Sequence, residues 1–355
     1  MLRVPGVHRA ALVLLCLLSA LAASATPAAA KQGPALSNFT LAVPYGVLNP
    51  TASPRGADDF ACKPTAAHPR PVVLVHGTFA NRFNSFAALS PALKRAGFCV
   101  FSLNYGASHF RSVGVYGMRS IRSSADELAA YVDRVRAATG APQVDLVGYS
   151  QGSVVARTYL RWKGGAGAPG GVDAAAAGAV ATPGSGPVHT LVGLSGVNHG
   201  TVLGGLTTVM DAFGLRPLIK AQLGPGPLDL VRGSSLLRDL GAGGETVPGV
   251  SYTMIATQTD EVSAPYTGAH LAAPAAGVGA AGSAGGVGAV GGVGAVGGAG
   301  AVGGVTNLVL QQGCPTDLSD HFNITYSPRA AALVIHALDP ASAVRVPCGI
   351  VLPFL

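Results

Sequence analysis

The chain has 355 residues, 49% of them hydrophobic and 11% charged, enough to bury the core of one large domain or two smaller ones. Its formal net charge of +7 is not gathered into a dense Lys/Arg cluster with interleaved aromatics. That argues against a nucleic-acid partner and leaves at most a weak attraction to an anionic cell envelope.

The first thirty residues read as a signal peptide. Arg3, His8 and Arg9 precede the apolar run Ala10–Leu18, and small residues end at Ala28-Ala29-Ala30, an A-x-A cleavage pattern. Ala23-Ser24-Ala25 offers a second such site. The apolar run is too short to span a bilayer comfortably. Cys16 follows Leu15 rather than the small residue of a lipoprotein site, which favours a freely secreted chain with no transmembrane segment once the leader is removed. Four cysteines then remain, Cys62, Cys99, Cys314 and Cys348. An even number in an exported protein predicts two disulfides. Of the three pairings, Cys62–Cys99 with Cys314–Cys348 is favoured because both close local loops, each worth roughly 3–4 kcal/mol in the loop-entropy model.

Residues 31–70 are rich in proline and carry no predicted element. "PVVLVHG" (71–77) is a continuous apolar, β-branched run, the signature of a buried parallel strand. A helical stretch follows over 83–96, then a strand at "FCVFSLNY" (98–105). The segment 122–140 places Leu128, Tyr131, Val132 and Val135 on one helical face, with Gly140 as its stop. "QVDLVGYS" (143–150) is a strand and 153–162 a helix. Further strands fall at 189–196, 251–257 and 306–310, and a last helix at 327–339 with Pro328 in its first turn. Strands alternating with helices define an α/β domain with a mostly parallel sheet flanked by helices. It spans 31–355 as a single domain.

Two stretches do not fit a packed domain. Residues 164–187 are rich in Gly, Ala and Pro and read as a surface loop. In 272–305 the hexad "GGVGAV" occurs at 285–290 and 291–296, then as "GGAGAV" at 297–302. Fourteen of the 29 residues Gly277–Val305 are glycine, each costing a helix roughly 0.8–1 kcal/mol relative to alanine. That composition predicts a flexible low-complexity insertion, not a membrane helix.

Gly148-Tyr149-Ser150-Gln151-Gly152 is G-x-S-x-G set between a buried strand and a helix, the context in which the motif presents a nucleophile. The turn lifts the serine hydroxyl clear of the sheet. The flanking glycines, Gly148 and Gly152, let neighbouring elements approach, and the helix N-terminus favours a nascent oxyanion. A serine needs a base and an orienting acid, which on such a fold follow it as acid, then histidine. Asp260 ends a predicted strand, and His321 sits in the loop before the last helix. His199 precedes every good acid and so stands in the wrong order. Glu261 neighbours Asp260 and would point elsewhere, while Asp317 and Asp320 read as loop-structuring. His76-Gly77 closes the first strand as the loop that supplies one oxyanion N–H, from Thr78 or, as the alternate, Phe79. Gln151 supplies the other. No cluster has zinc-ligand spacing, so neither metal nor cofactor is expected.

"PVVLVHGTF", "GYSQG", "LVGLSGVNHGT", "ATQTDEVSAPYTG" and "CPTDLSDHFNITYSP" together resemble the secreted bacterial triacylglycerol lipases and esterases of the α/β-hydrolase superfamily, in particular the actinobacterial group. The resemblance covers about 35–270 and 305–351. It implies Ser150, Asp260 and His321 as a triad, with Thr78 and Gln151 as oxyanion donors. The implied partner is a lipid ester, met in solution or at a lipid–water interface. Residues 274–304 depart from the family pattern as an insertion between the acid and the histidine; loop-closure entropy grows slowly enough to tolerate it. The implied activity is carboxylic ester hydrolysis through an acyl-enzyme. The same triad would serve an acyltransferase with a sugar or envelope-lipid acceptor. A surface-binding protein built around the glycine–valine tract is the reading from a third class.

Overall fold

In a computed structural model the described residues are 31–166, 184–202, 216–273 and 303–354. The expected leader, most of the 164–187 stretch and nearly all of the hexad tract lie outside them. Val305, which the hexad pattern assigns to the tract, is the first residue of a strand.

Composition predicts nothing regular over 31–70, yet helix α1 (Phe39–Leu48) forms there. Asn38 caps it by accepting from the Leu41 N–H (2.9 Å). Pro44 sits inside it and removes one backbone donor, the feature that hides the helix in the sequence. The stretch 83–96 is two helices, α2 (Arg82–Phe86) and α3 (Leu89–Arg95). The break has a local cause: Pro91 has no N–H to continue the ladder.

The strands are β1 (Val72–Val75), β2 (Val100–Leu103), β3 (Val144–Tyr149), β4 (Val188–Leu194), β5 (Ser251–Ala256) and β6 (Val305–Val309). They form one sheet in the order β2-β1-β3-β4-β5-β6, every neighbouring pair parallel. Alternate residues of each strand point to opposite faces. Val73 and Val75 join one core cluster, with α4 (Ile121–Thr139) and α5 (Gln151–Trp162). Val72 and Leu74 join another, with α3 and the last helix α9 (Pro328–Leu338). Both faces are therefore covered, which is why β1 reads as an unbroken apolar run and β3 departs from one only at Asp145 and Gly148. Short helices α6 (Arg216–Leu223), α7 (Gly226–Asp229) and α8 (Ser235–Gly241) fill the connection between β4 and β5.

The strand order places a crevice. From β1 the chain steps outward to β2, then returns to the other side of β1 for β3. The connections leaving β1 and β3 thus part in opposite directions, opening a cleft at the carboxyl ends of those two strands. Val75 is paired with Gly148 at that edge, so the residues after each strand face one another across it. Two disulfides, Cys62–Cys99 and Cys314–Cys348, close loops of 37 and 34 residues. The first pins the segment before β1 to the start of β2. The second pins the loop before α9 to the chain after it. No helix among the described residues is long and apolar enough to cross a membrane.

Candidate active site

Ser150 follows β3 directly and caps α5 with φ 54° and ψ −121°. A side chain in that left-handed region costs of order 1–3 kcal/mol and persists only where the surroundings fix it. Here the Ser150 N–H donates to the Leu194 carbonyl on β4 (2.9 Å). The two flanking glycines are sterically obligatory. A Cβ on Gly152 would lie 2.0 Å from the Val75 carbonyl oxygen, and one on Gly148 would lie 2.6 Å from the Ser153 nitrogen. Gly77, after β1, is less tightly constrained: its Cβ would stand 3.1 Å from that of Ser150, a contact that a small shift could relieve.

Three of the residues singled out in the sequence come together at this edge. His321 Nε2 is 2.9 Å from Ser150 Oγ, and His321 Nδ1 is 2.9 and 3.0 Å from the two Asp260 oxygens. All three residues are buried. A carboxylate facing Nδ1 assigns the proton to that nitrogen and leaves Nε2 to accept from the serine hydroxyl. Burial by itself would raise the Asp260 pKa. The facing His321 and the Ser263 N–H (2.7 Å) outweigh it and hold the carboxyl below its ordinary value.

Asp260 and His321 lie on loops that are laced together. The hydroxyls of Thr257 and Thr259 both donate to the Ser319 carbonyl (2.5 and 2.6 Å), and Gln311 Nε2 donates to the Asp317 carbonyl (2.6 Å). Asp317 accepts from the hydroxyls of Ser319 and Ser327, and Asp320 accepts from the Asn323 and Phe354 N–H groups. Glu261 does not face the imidazole. Its carboxylate accepts from the His321 backbone N–H (3.3 Å), and burial pushes its pKa up. His199 is turned elsewhere: Nδ1 bonds with the Gly268 carbonyl (3.0 Å) and Nε2 with Glu245. The Glu245 hydrogen bond raises the His199 pKa. Burial would raise that of Glu245, but the His199 bond and the Ala272 N–H hold it near 2.

Of the expected backbone donors, Gln151 is the first residue of α5, whose N–H has no partner within the helix. The Thr78 N–H makes no hydrogen bond among the described residues. The Phe79 N–H is taken by the Tyr116 carbonyl (3.1 Å). The turn that carries Thr78 is braced by His76. Its Nδ1 donates to the Gly77 carbonyl (2.7 Å), its Nε2 accepts from the Tyr105 N–H (3.3 Å), and its ring stacks on Tyr105 at 4.2 Å. Burial lowers the His76 pKa to about 4, so the ring is neutral at neutral pH.

Ser150 and His321 open into a pocket of about 690 Å³. Its walls are apolar and include Phe39, Val43 and Val47 from α1, together with Leu228, Phe322 and Phe354. Phe79 and Val113 stand at the mouth, 47% and 44% exposed. The α1 wall escapes a reading that treats 31–70 as irregular. Its signal is the spacing of Phe39, Val43 and Val47, one helical turn apart twice over. The lacing by Thr257, Thr259 and Gln311 carries no sequence signal, because hydroxyls and amides at strand ends are commonplace. Among the described residues no group of three His, Cys, Asp or Glu side chains could hold a metal ion.

A covered parallel sheet with a serine on the sharp turn after its third strand is an α/β-hydrolase fold. Among solved structures the chain is similar to lipase B from Aspergillus fumigatus, with a TM-score of 0.50 and 18% identity. That match covers 78% of this chain and 55% of the other, so the chain spans little more than half of that lipase. Weaker likenesses join it to the mature lipase BlEst2 of Bacillus licheniformis (TM-score 0.37, 16% identity, 55% of this chain and 68% of that) and to an inhibited esterase B from Lactobacillus rhamnosis (0.36, 15%, 56% and 60%). No curated protein matches the chain. The profile of the family described as Lipase (class 2) matches residues 69–271, more than half of the sequence. The chain belongs to the class 2 lipases.

Proposed function

We propose that this is a secreted serine hydrolase that cleaves carboxylic esters of lipids, acylglycerols above all. The observation that carries the reading is the hydrogen-bonded series Ser150–His321–Asp260 opening into an apolar pocket. An acyl chain would lie along the walls of that pocket, with its ester carbonyl at Ser150. Ser150 Oγ attacks the carbonyl carbon while its proton passes to His321 Nε2. The negative charge that develops on the carbonyl oxygen is met by the Thr78 and Gln151 N–H groups and the start of α5. The imidazolium gives its proton to the departing alcohol, leaving an acyl-serine. Water then loses a proton to the same nitrogen, attacks the acyl carbon and releases the carboxylic acid, restoring the serine. Asp260 holds the imidazole in the working tautomer and stabilises its charged form. The leader-like first thirty residues and the two disulfides support export.

The test is Ser150→Ala assayed on a p-nitrophenyl acyl ester. Turnover should fall about 10⁴- to 10⁶-fold, and a fluorophosphonate probe should label the parent chain at Ser150 and leave the variant unlabelled. Parent-like turnover by the variant would refute the assignment.

A further inference from the structure

A second cavity, of about 930 Å³, lies against the back of the first. No triad side chain lines it. Three adjacent residue pairs divide between the two cavities: Asn38 and Phe39, Asn323 and Phe322, Pro353 and Phe354, the phenylalanines facing the active-site pocket. Those three rings pack together at centroid distances of 5.3–5.5 Å and form the partition.

The chemistry of the second cavity is uneven. Arg95, at the end of α3, and Arg345, after α9, both line it. Both are exposed, and neither guanidinium makes a hydrogen bond or ion pair with another described residue. No Asp or Glu lines the cavity among the described residues. Thr325 also lines it, and its buried hydroxyl has no partner among the described residues. The remaining wall is largely apolar, including Ala92, Ala331 and Ile335, with Ile350 and Leu352 left 77% and 66% exposed. An inorganic anion would answer the arginines and leave the apolar wall wet. A neutral lipid would cover the wall and gain nothing from the two cations at its edge. A single-chain anion satisfies both, and guanidinium groups match a carboxylate in charge and planar geometry.

We propose that this cavity is a non-catalytic binding site for a long-chain carboxylate, its head between Arg95 and Arg345 and its chain along Ile335, Ile350 and Leu352. The choice of a carboxylate rests on the ester-hydrolase reading, since such acids are the product that reading releases.

The test uses the full chain with Ser150 blocked by a fluorophosphonate and the label verified by mass. Laurate below its micelle concentration is titrated calorimetrically. The blocked chain should still bind one laurate. Arg95→Gln with Arg345→Gln should weaken that binding roughly 10- to 100-fold, and dodecanol should bind the blocked chain without these substitutions less tightly than laurate by a similar factor. Both arginines are exposed and unpaired among the described residues, so the double variant should keep the parent melting temperature. Absence of laurate binding to the blocked chain, unchanged affinity in the double variant, or dodecanol binding as well as laurate would each overturn the proposal. Failure of the probe to label Ser150 strikes the serine reading alone. The same arginine variants, titrated on the unblocked chain, then decide the cavity by whether one laurate is lost from the stoichiometry.

Discussion

Ser150 and His321 meet across 171 residues of chain, and the two sides of their hydrogen bond are built by different means. On the serine side everything is local backbone. The strand ends, one residue takes a left-handed φ, a helix begins, and glycines at 148 and 152 admit neighbouring main chain to within distances no Cβ would allow. On the histidine side the backbone alone specifies little. Two loops about sixty residues apart are held in register by hydroxyls, carboxylates, an amide and a disulfide. The serine side should therefore break all at once, through steric clash. The histidine side should loosen by degrees.

After loss of Ser150 itself, the largest effect is expected at the charge on the histidine side that faces the imidazole. Asp260→Asn preserves shape but removes the charge that sets the imidazole tautomer. It should lower kcat about 10⁴-fold with KM little changed, read on a soluble acyl ester. A loss below tenfold would transfer the orienting role to Glu261, which already holds the His321 N–H, and Glu261→Gln would then carry the large loss.

Gly152→Ala probes the serine side. Its Cβ would meet main-chain atoms of Val75 and His76, which cannot swing aside like the end of a side chain. We expect a loss of about 3–5 kcal/mol or failure to fold. Gly140→Ala is the control. It has φ 76° with open space around the new methyl, so it should cost only about 1–2 kcal/mol from backbone strain. Chemical denaturation of the two variants separates clash from strain, and equal losses would contradict the steric account of the elbow.

The contrast also explains what the sequence discloses. The elbow is legible because a steric demand for glycine is written at fixed offsets, and the core strands are legible because a sheet covered on both faces needs mostly apolar runs, unbroken at Val72–Val75 and interrupted at Val144–Tyr149 by Asp145, which is ion-paired with Arg70, and by Gly148. Asp260 and His321 can be named from chain order and from their places at a strand end and before a helix, but nothing in the sequence states how their loops are fastened. Thr257, Ser319 and Gln311 interact through single hydrogen bonds over 54–62 residues, a separation at which no period exists. Helix α1 is concealed for another reason. Pro44 and the surrounding prolines suggest irregular chain, while the apolar spacing that builds a pocket wall falls on only three residues.

Two histidines extend the comparison to pH. His76 braces the serine side as a neutral, buried ring with a pKa near 4, against 6.5 when the chain unfolds. Between those values the unfolded chain binds the proton and the folded chain does not, so stability falls as pH drops from 6.5 towards 4, by about 3 kcal/mol for this group. His199, bonded to Glu245 and Gly268 and not to the triad, has the opposite sign. Its raised pKa contributes stability below 6.5 that fades as pH rises through the folded value, and its exposure keeps that contribution small. Melting temperatures from pH 8 to 4 should therefore fall less steeply for His76→Asn than for the parent, even if the variant starts lower. Parallel slopes would mean that the His76 ring is protonated in the fold.

The smallest expected effect is on the histidine side. Thr257→Val deletes a buried hydroxyl that donates to Ser319 and accepts from Gln311. Thr259 still holds Ser319 and Gln311 still holds Asp317, so the lacing is weakened, not cut. The cost should be about 1–2 kcal/mol of stability, since the hydroxyl's bonds are lost but Ser319 and Gln311 each keep another partner, with kcat falling more than KM as His321 is held less firmly. Thr158→Val makes the same chemical change on α5, where the buried hydroxyl has no partner among the described residues. Removing an unsatisfied group should be neutral or slightly stabilising. Identical substitutions at equally buried threonines would then differ in sign, which burial alone does not produce. If both destabilise alike, the Thr257 hydroxyl is packing rather than fastening, and the histidine loop owes its position to the Cys314–Cys348 bridge and the Asp317 and Asp320 turns.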